Sequence, residues 1–376
     1  MILPSLLLAG AGLATGLLAP FAALSTSEDD VAAAPENPHA RAPIDVLLEV
    51  TEEAWLRAPN EEWFEAQAEL FPDRFEFVEE LLEVEGDFEG GWRDSQGEFE
   101  FRYDEEEDEF AYWQLITADR LTQGRLDYVQ FCASCHGFEG DGYGRSGQHL
   151  RPPPRNFQRP NFKFSKVPGS YLPSDEALIQ LVKRGLNGTP MLPWALSDEQ
   201  LDDIIQYVKS LSPEGQGWRD IYSEVGDVVE SGEDPWAGRV NEALVRGEEV
   251  YHDTAKCHSC HPGYVTPARF EEITGSPPRD ELTYPLAKST DNYQVLGYSM
   301  LILPPDFTWH DVRAGTTPLD LFETIASGIG GTAMPQWKNS LPDEDIWAMA
   351  HYVQMLIETY KNKPSDRARF MAGLRN

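Results

Sequence analysis

The chain repeats itself, and the repeat fixes most of what it can fold into. Residues 176–194, EALIQLVKRGLNGTPMLPW, match 319–337, LDLFETIASGIGGTAMPQW. Each has an apolar helical pattern, a glycine (Gly185, Gly328), Gly-Thr-x-Met, and a tryptophan three residues after the methionine. The next segments also match: Asp198, Glu199, Tyr207, Val208 and Leu211 recur as Asp343, Glu344, Tyr352, Val353 and Leu356. Upstream the pattern is looser. Gly124 and Tyr128 precede Cys132, and Gly247 and Tyr251 precede Cys257 with two extra residues before it. One unit of roughly 90–120 residues occurs twice. Each unit runs helix, cysteine pair, long loop, helix, methionine segment, C-terminal helix.

All 4 cysteines of the chain sit in two short strings, CASCH at 132–136 and CHSCH at 257–261. Two cysteines three apart suit a disulfide, a zinc site or covalent haem. A zinc ribbon brings two such pairs close together around one metal. Here a methionine segment and a long stretch of chain separate them. A thioredoxin-like pair calls for a βαβ setting, and neither it nor a plain disulfide needs the histidine. Cys-x-x-Cys-His is the attachment signature of c-type haem. The two thiols add to the haem vinyl groups, and the adjacent histidine reaches the iron from one face. The opposite position needs a soft neutral ligand, which a loop methionine can supply.

Both halves resemble class I cytochrome c domains, particularly those in the dihaem subunit of high-affinity haem–copper oxidases. The resemblance covers roughly 118–212 and 240–360. It implies that Cys132, Cys135, His136 and Met191 hold one haem c, and that Cys257, Cys260, His261 and Met334 hold a second, with the histidines and methionines on iron. CHGFEGDGYG (135–144) is similar to the Gly-rich stretch that follows the histidine in that family. The second unit departs from it with CHPGYVTP and about 18 more residues between histidine and methionine.

Rival ligands exist. Met300, Met349 and Met355 compete with Met334, the last two from a helical segment more suited to core packing. His149, His252, His258, His310 and His351 are further candidates. His310 belongs to PPDFTWHDVRAG, which parallels PPPRNFQRPNFKF in the first unit, where no histidine stands.

The expected architecture is mainly α: two tandem cytochrome c domains, small helical bundles around covalent haem, at 118–212 and 240–360. A linker at 213–239 joins them and a tail at 361–376 follows. Ahead of them, 28–117 reads as a small acidic α+β or partly ordered domain. APIDVLLEVTEEAWL and WFEAQAELFPDRFEFVEELLEV carry apolar residues at helical spacing; EFEFRYDEEEDEFAYW reads as a hairpin. Residues 1–27 carry no charged side chain. The apolar run 2–24 has the length of a membrane anchor and also resembles a cleaved signal peptide without its basic start. Either way the rest is expected on the periplasmic, or extracytoplasmic, side of the membrane.

The formal net charge is −34. Such a charge repels nucleic acid and anionic lipid surfaces and attracts a redox partner with a basic docking face, or else is a solubilising bias such as salt-adapted proteins show. About 29 acids against 5 arginines lie between Glu28 and Glu109. Against this tide, Arg145, Arg151, Arg155, Arg159, Lys163, Lys166, Lys183 and Arg184 cluster in the first unit; they read as propionate partners and solvated charges, or as a face docking the acidic segment. The leading expectation is a dihaem relay of single electrons outside the cytoplasmic membrane, as a carrier or as a subunit of a respiratory electron-transfer complex. The competing one is an enzyme, such as a dihaem cytochrome c peroxidase, in which one iron lacks its methionine.

Overall fold

The computed structural model describes residues 49–84, 87–105, 108–159, 162–278, 289–295 and 298–374. The 2–24 segment lies outside them; within them no helix is long and apolar enough to cross a membrane.

The N-terminal part is mostly strand. β1 (Ala54–Arg57) is followed by α1 (Glu61–Leu70), β2 (Phe75–Val84), β3 (Asp87–Asp94), β4 (Phe99–Asp104) and β5 (Glu109–Ile116). β5 lies between β1 and β4, antiparallel to both, and β2 pairs with β3. The hairpin expected around the acidic turn is β4–β5. The helical reading of 75–84 is wrong. Pro72 and the turn after it stop α1, and the following residues pair with β3, Phe77 opposite Trp92. Gly90 leaves room for the Phe77 ring, whose Cζ would stand 3.0 Å from any Cβ there. Cross-strand packing overrides local helical spacing.

α1 closes this part by burying Phe64 against Phe75 and Tyr112, with the Phe64 and Tyr112 rings 4.3 Å apart. Asp94 ties the sheets together. Its carboxylate accepts from both Arg74 Nε and Nη2, and from the backbone N–H groups of Gln96, Glu98 and Phe99.

The helical part contains α2 (Ala118–Phe131), the short α3 (Ala133–His136), α4 (Asp175–Arg184), α5 (Asp198–Ser210), α6 (Val240–Glu249), α7 (Pro267–Thr274), α8 (Pro318–Ser327), α9 (Asp343–Tyr360) and α10 (Pro364–Gly373). Their starts are written in the sequence. The side chains of Thr117, Ser174, Ser197 and Thr317 each accept an N–H of the first turn, and Gln200 and Asp320 complete capping boxes. α2 crosses α5, and α6 crosses α9. α4 and α8 both end on a glycine at positive φ, Gly185 at +65° and Gly328 at +71°, a conformation that favours glycine.

Two segments expected to be peripheral are structural. In 213–239, Trp218 is fully buried in one cluster with Leu56, Ile116, Leu121 and Ile205. Trp236 donates from Nε1 to the Glu344 carbonyl, and Trp347 donates from Nε1 to the Ser231 carbonyl. In the tail, Arg367 of α10 donates to Asp306 and Thr308, and Met371 and Leu374 are buried. The linker is anchored by Trp218 and Trp236 and the tail by Met371 and Leu374, which Gly, Pro and acid content alone did not reveal.

Among the described residues, the N-terminal sheet meets the first helical unit through apolar side chains. Leu56 and Ile116 share the cluster of Leu121, Leu178 and Ile205. Arg57 donates from Nε to the Ser223 carbonyl. The contact is an apolar core that spans the N-terminal sheet and α2, α4 and α5.

Candidate functional site

The four cysteines are free thiols, not disulfides. Burial pushes the Cys132 and Cys257 thiols up to about 12. Cys132 and Cys257 are thereby kept as neutral thiols.

Cys132 ends α2, and the single turn of α3 carries Cys135 and His136. The His136 ring lies against a backbone carbonyl, Nδ1 3.0 Å from Arg155 O. Nδ1 therefore carries the proton and Nε2 keeps its lone pair. Phe157 stacks on the ring at 4.4 Å between centroids, 15° from parallel. Burial lowers the pKa of His136, which keeps the imidazole neutral as a ligand requires.

The second unit copies this. His261 Nδ1 lies 3.0 Å from Pro305 O, and Phe307 stacks on the ring at 4.8 Å and 19°. Burial lowers its pKa as well. The turn behind each histidine is braced the same way. Tyr128 Oη donates to the Gly137 carbonyl at 2.7 Å, and Tyr251 Oη donates to the Pro262 carbonyl at 2.9 Å. The two extra residues before Cys257 are taken up by a π-helical turn at Val250–Thr254 and a left-handed Lys256.

The methionine segments also agree. Met191 N donates to Thr189 Oγ1, and Met334 N donates to Thr332 Oγ1, both at 3.1 Å. Met191 O accepts from Leu186 N, as Met334 O accepts from Ile329 N. That explains the threonine of Gly-Thr-x-Met: its hydroxyl fixes the backbone of the methionine two residues on. Phe131, just before Cys132, packs edge-on against Trp194 with centroids 5.8 Å apart. So the ends of the cysteine and methionine segments of the first unit meet. In the second unit Cys257 and Met334 pack on the same apolar cluster.

The rivals are spent elsewhere. Met349 is buried in the core of the second unit, its sulfur 4.0 Å from Cys257 Sγ. Met355 packs on the same cluster. Met300 lies in β7 (Tyr298–Ile302), which pairs with β6 (Ser289–Val295) in the insert of the second unit. His351 bonds Asp234 at 2.9 Å, and His310 Nδ1 accepts from Asp306 N at 2.9 Å. His252 is fully buried with Nδ1 on the Glu248 carbonyl, and burial lowers its pKa to about 4. His258 packs against His252 and Phe270. His149 is exposed in a surface turn.

The donor set in each unit is thus two free thiols, an imidazole whose Nδ1 is bonded to a carbonyl, and a methionine whose backbone is held by its own threonine. That set fits haem c. Among the described residues, no group of three or more His, Cys, Asp or Glu forms a separate metal cluster. Sequence reasoning missed Phe157, Phe307 and the carbonyls of Arg155 and Pro305. The parallel of PPPRNF (152–157) with PPDF (304–307) was their signal.

The family described as cytochrome c oxidase, cbb3-type, subunit III, matches residues 119–208 and 242–353. No curated protein matches the chain. Among solved structures, a chain of the reducing HAO-like protein complex of Kuenenia stuttgartiensis is 28% identical, with a TM-score of 0.49, over 62% of this chain and 96% of that one.

Proposed function

Since the chain belongs to the family described as cytochrome c oxidase, cbb3-type, subunit III, a family of c-type cytochromes, we propose that it is a dihaem relay for single electrons. Cys132, Cys135, His136 and Met191 would hold one haem c; Cys257, Cys260, His261 and Met334 would hold the other. The haem supplies a reversible one-electron couple. The chain fixes each histidine tautomer through a backbone carbonyl and each methionine backbone through a threonine. Methionine as an iron ligand would raise the potential relative to a second histidine. The relay would work outside the cytoplasmic membrane, beside or within a respiratory complex, with a partner whose docking face is basic.

One observation carries this reading: the two units hold their histidine and methionine in the same way, to 3.0 Å at each Nδ1 and 3.1 Å at each methionine N–H. A second unit divergent enough to leave its iron open, as a peroxidase needs, would be expected to lose that match. Denaturing mass measurement of the mature protein should give the polypeptide plus two haems. The reduced protein should not bind carbon monoxide. One haem, or carbon monoxide bound at either iron, overturns the proposal.

A further inference from the structure

The two units meet through equivalent segments. Asn187 stands two residues before Thr189. It donates from its backbone N–H to the Arg313 carbonyl at 3.0 Å and from Nδ2 to the Val312 carbonyl at 3.4 Å. Its neighbour Gly188 packs against the Asp311 side chain. Gly330 stands in the same place before Thr332. Chain neighbours aside, a Cβ on Gly330 would meet within 4 Å, among the described residues, only the Phe162 carbonyl, its oxygen at 2.9 Å and its carbon at 3.8 Å. Phe162 and Val312 each come seven residues after the carbonyl that holds a ligand histidine, Arg155 and Pro305. Each methionine segment therefore rests on the loop that holds the other unit's histidine.

The first unit's loop is itself fixed. The Phe162 ring stacks on Phe157, with centroids 5.9 Å apart and planes 5° from parallel, and Phe157 stacks on His136 in turn. Phe162 also meets Trp218 edge-on at 5.3 Å. Four residues on, the buried Lys166 donates from Nζ to Asp320 at 2.7 Å and to Glu323 at 2.5 Å. Both acids stand on α8, which ends at Gly328 and leads into Met334. So one loop touches the second methionine segment at Gly330 and also holds the helix that carries it. The contact at Gly330 is backbone on backbone, which has no rotamer to yield, and close-packed interiors transmit strain.

We propose that each post-histidine loop positions the other unit's methionine: Phe162 and Lys166 act on Met334, and Val312 and Arg313 act on Met191. The inference rests on the dihaem reading above. A methionine side chain has three rotatable bonds, so its sulfur is placed only as well as its backbone is. The threonine of each segment fixes that backbone locally. The partner loop fixes the segment as a whole, as outer supports do for other metal ligands. Ligation at each centre then depends on the other unit being folded around its own histidine.

The experiment uses full-length holoprotein, with haem counted by mass. Ligation is read by NMR of the reduced, diamagnetic state, in which each iron-bound methionine gives its own ring-shifted methyl signal. Gly330 has no positive φ, so Gly330→Ala pushes on Phe162 without straining its own backbone. It should keep two haems, shift or lose the Met334 signal, lower one potential and admit up to about one equivalent of carbon monoxide. Phe162→Ala, made in the other unit, should also move the Met334 signal. Asn187→Asp, whose carboxylate cannot donate to the Val312 carbonyl, should move that of Met191. Gly169→Ala, where a Cβ meets nothing within 4 Å, should move neither. A Met334 signal left in place by Gly330→Ala or by Phe162→Ala, with two haems present, overturns the proposal and leaves the dihaem reading standing. A wild-type protein with one haem, or without one of the two methionine signals, sinks that reading instead. If the variants do not mature, hydrogen exchange of the wild type decides. The Asn187 amide, bonded across the boundary, should be as protected as the Leu186 amide, which bonds Met191 O inside the unit. Faster exchange at Asn187 overturns the proposal, because the boundary would open while the methionine segment stays closed.

Discussion

Gly124 lies so close to Asp203 that a Cβ on the glycine would come within 2.1 Å of the Asp203 carbonyl oxygen. Gly247 stands in the same relation to Ala348, at 2.2 Å. These are the points where α2 crosses α5 and α6 crosses α9. The neighbouring atoms are helix backbone, which cannot rotate away as a side chain does. Gly124→Ala or Gly247→Ala must push two helices apart, and each is expected to cost about 1–3 kcal/mol or more. Thermal unfolding of each variant checks this. A Tm equal to that of the unaltered protein would mean the crossings open without strain.

The two methionines are expected to act independently. Met191→Ala should open one iron to carbon monoxide, at about one equivalent, and lower one potential, since it removes the ligand that raises it. Met334→Ala should do the same to the other centre. Met349→Leu is the control. Its side chain fills core beside Cys257, and a volume-conserving swap there costs under about 1.5 kcal/mol. It should leave both spectra and both potentials in place. If Met349→Leu opens an iron and Met334→Ala does not, the assignment of the second unit is reversed.

The motifs of the candidate site read more directly from the sequence than their setting does. Cys-x-x-Cys-His and Gly-Thr-x-Met are local: each is set by chemistry within a few residues, so each reads directly. Phe157 and Phe307 carry no such mark, because stacking on a histidine 21 or 46 residues back is a tertiary fact. The strand at Phe75–Val84 was hidden for the same reason. Its acidic and apolar residues suit a helix as well as a strand, and only the pairing with β3 decides between them. The linker looked loose because it is rich in Gly, Ser and acids, yet Trp218 and Trp236 bury it. Few polar residues are needed to make a segment look like a loop, and one tryptophan is enough to anchor it.

The Lys166 pairing sets a pH dependence. Burial alone would raise the Asp320 carboxyl, but hydrogen bonds from Lys166 and Thr317 outweigh it, and its pKa lies below the ordinary value. A depressed carboxylate contributes stability that is complete above its unfolded pKa of about 3.9 and is lost as pH falls through the folded value. Lys166→Met strands Asp320 and Glu323 without their cation. The loss at pH 7 should be about 1–3 kcal/mol, less than the ~3–5 of a fully buried pair, because Asp320 is partly exposed. The gap in Tm between the two proteins should narrow as pH drops from about 5 to 3. A gap that stays constant with pH would show that lost packing, not lost charge, accounts for the effect.

The last expectation concerns the acidic domain, whose charge suggests a detachable arm. Its contact says otherwise. Leu56 and Ile116 are fully buried, in one cluster with Leu121, Leu178, Ile205 and Trp218. A chain beginning at Ala118 retains every candidate ligand, so haem attachment chemistry is untouched. It also strips the cover from the apolar faces of α2, α4 and α5. Such a truncation should bind a hydrophobic dye, unfold at a lower temperature and be cut faster by protease. Leu56→Ala and Ile116→Ala test the same core without the deletion, and each should cost about 2–5 kcal/mol. A truncated protein that melts unchanged and binds no dye would make the domain an appendage. Its charge would then act only on a partner, through a field screened over ~8 Å at physiological salt. The point variants separate these cases, because they remove apolar contact and leave every charge in place. If they lower the Tm but leave the salt dependence of electron exchange unaltered, cohesion and steering are distinct roles of the same domain.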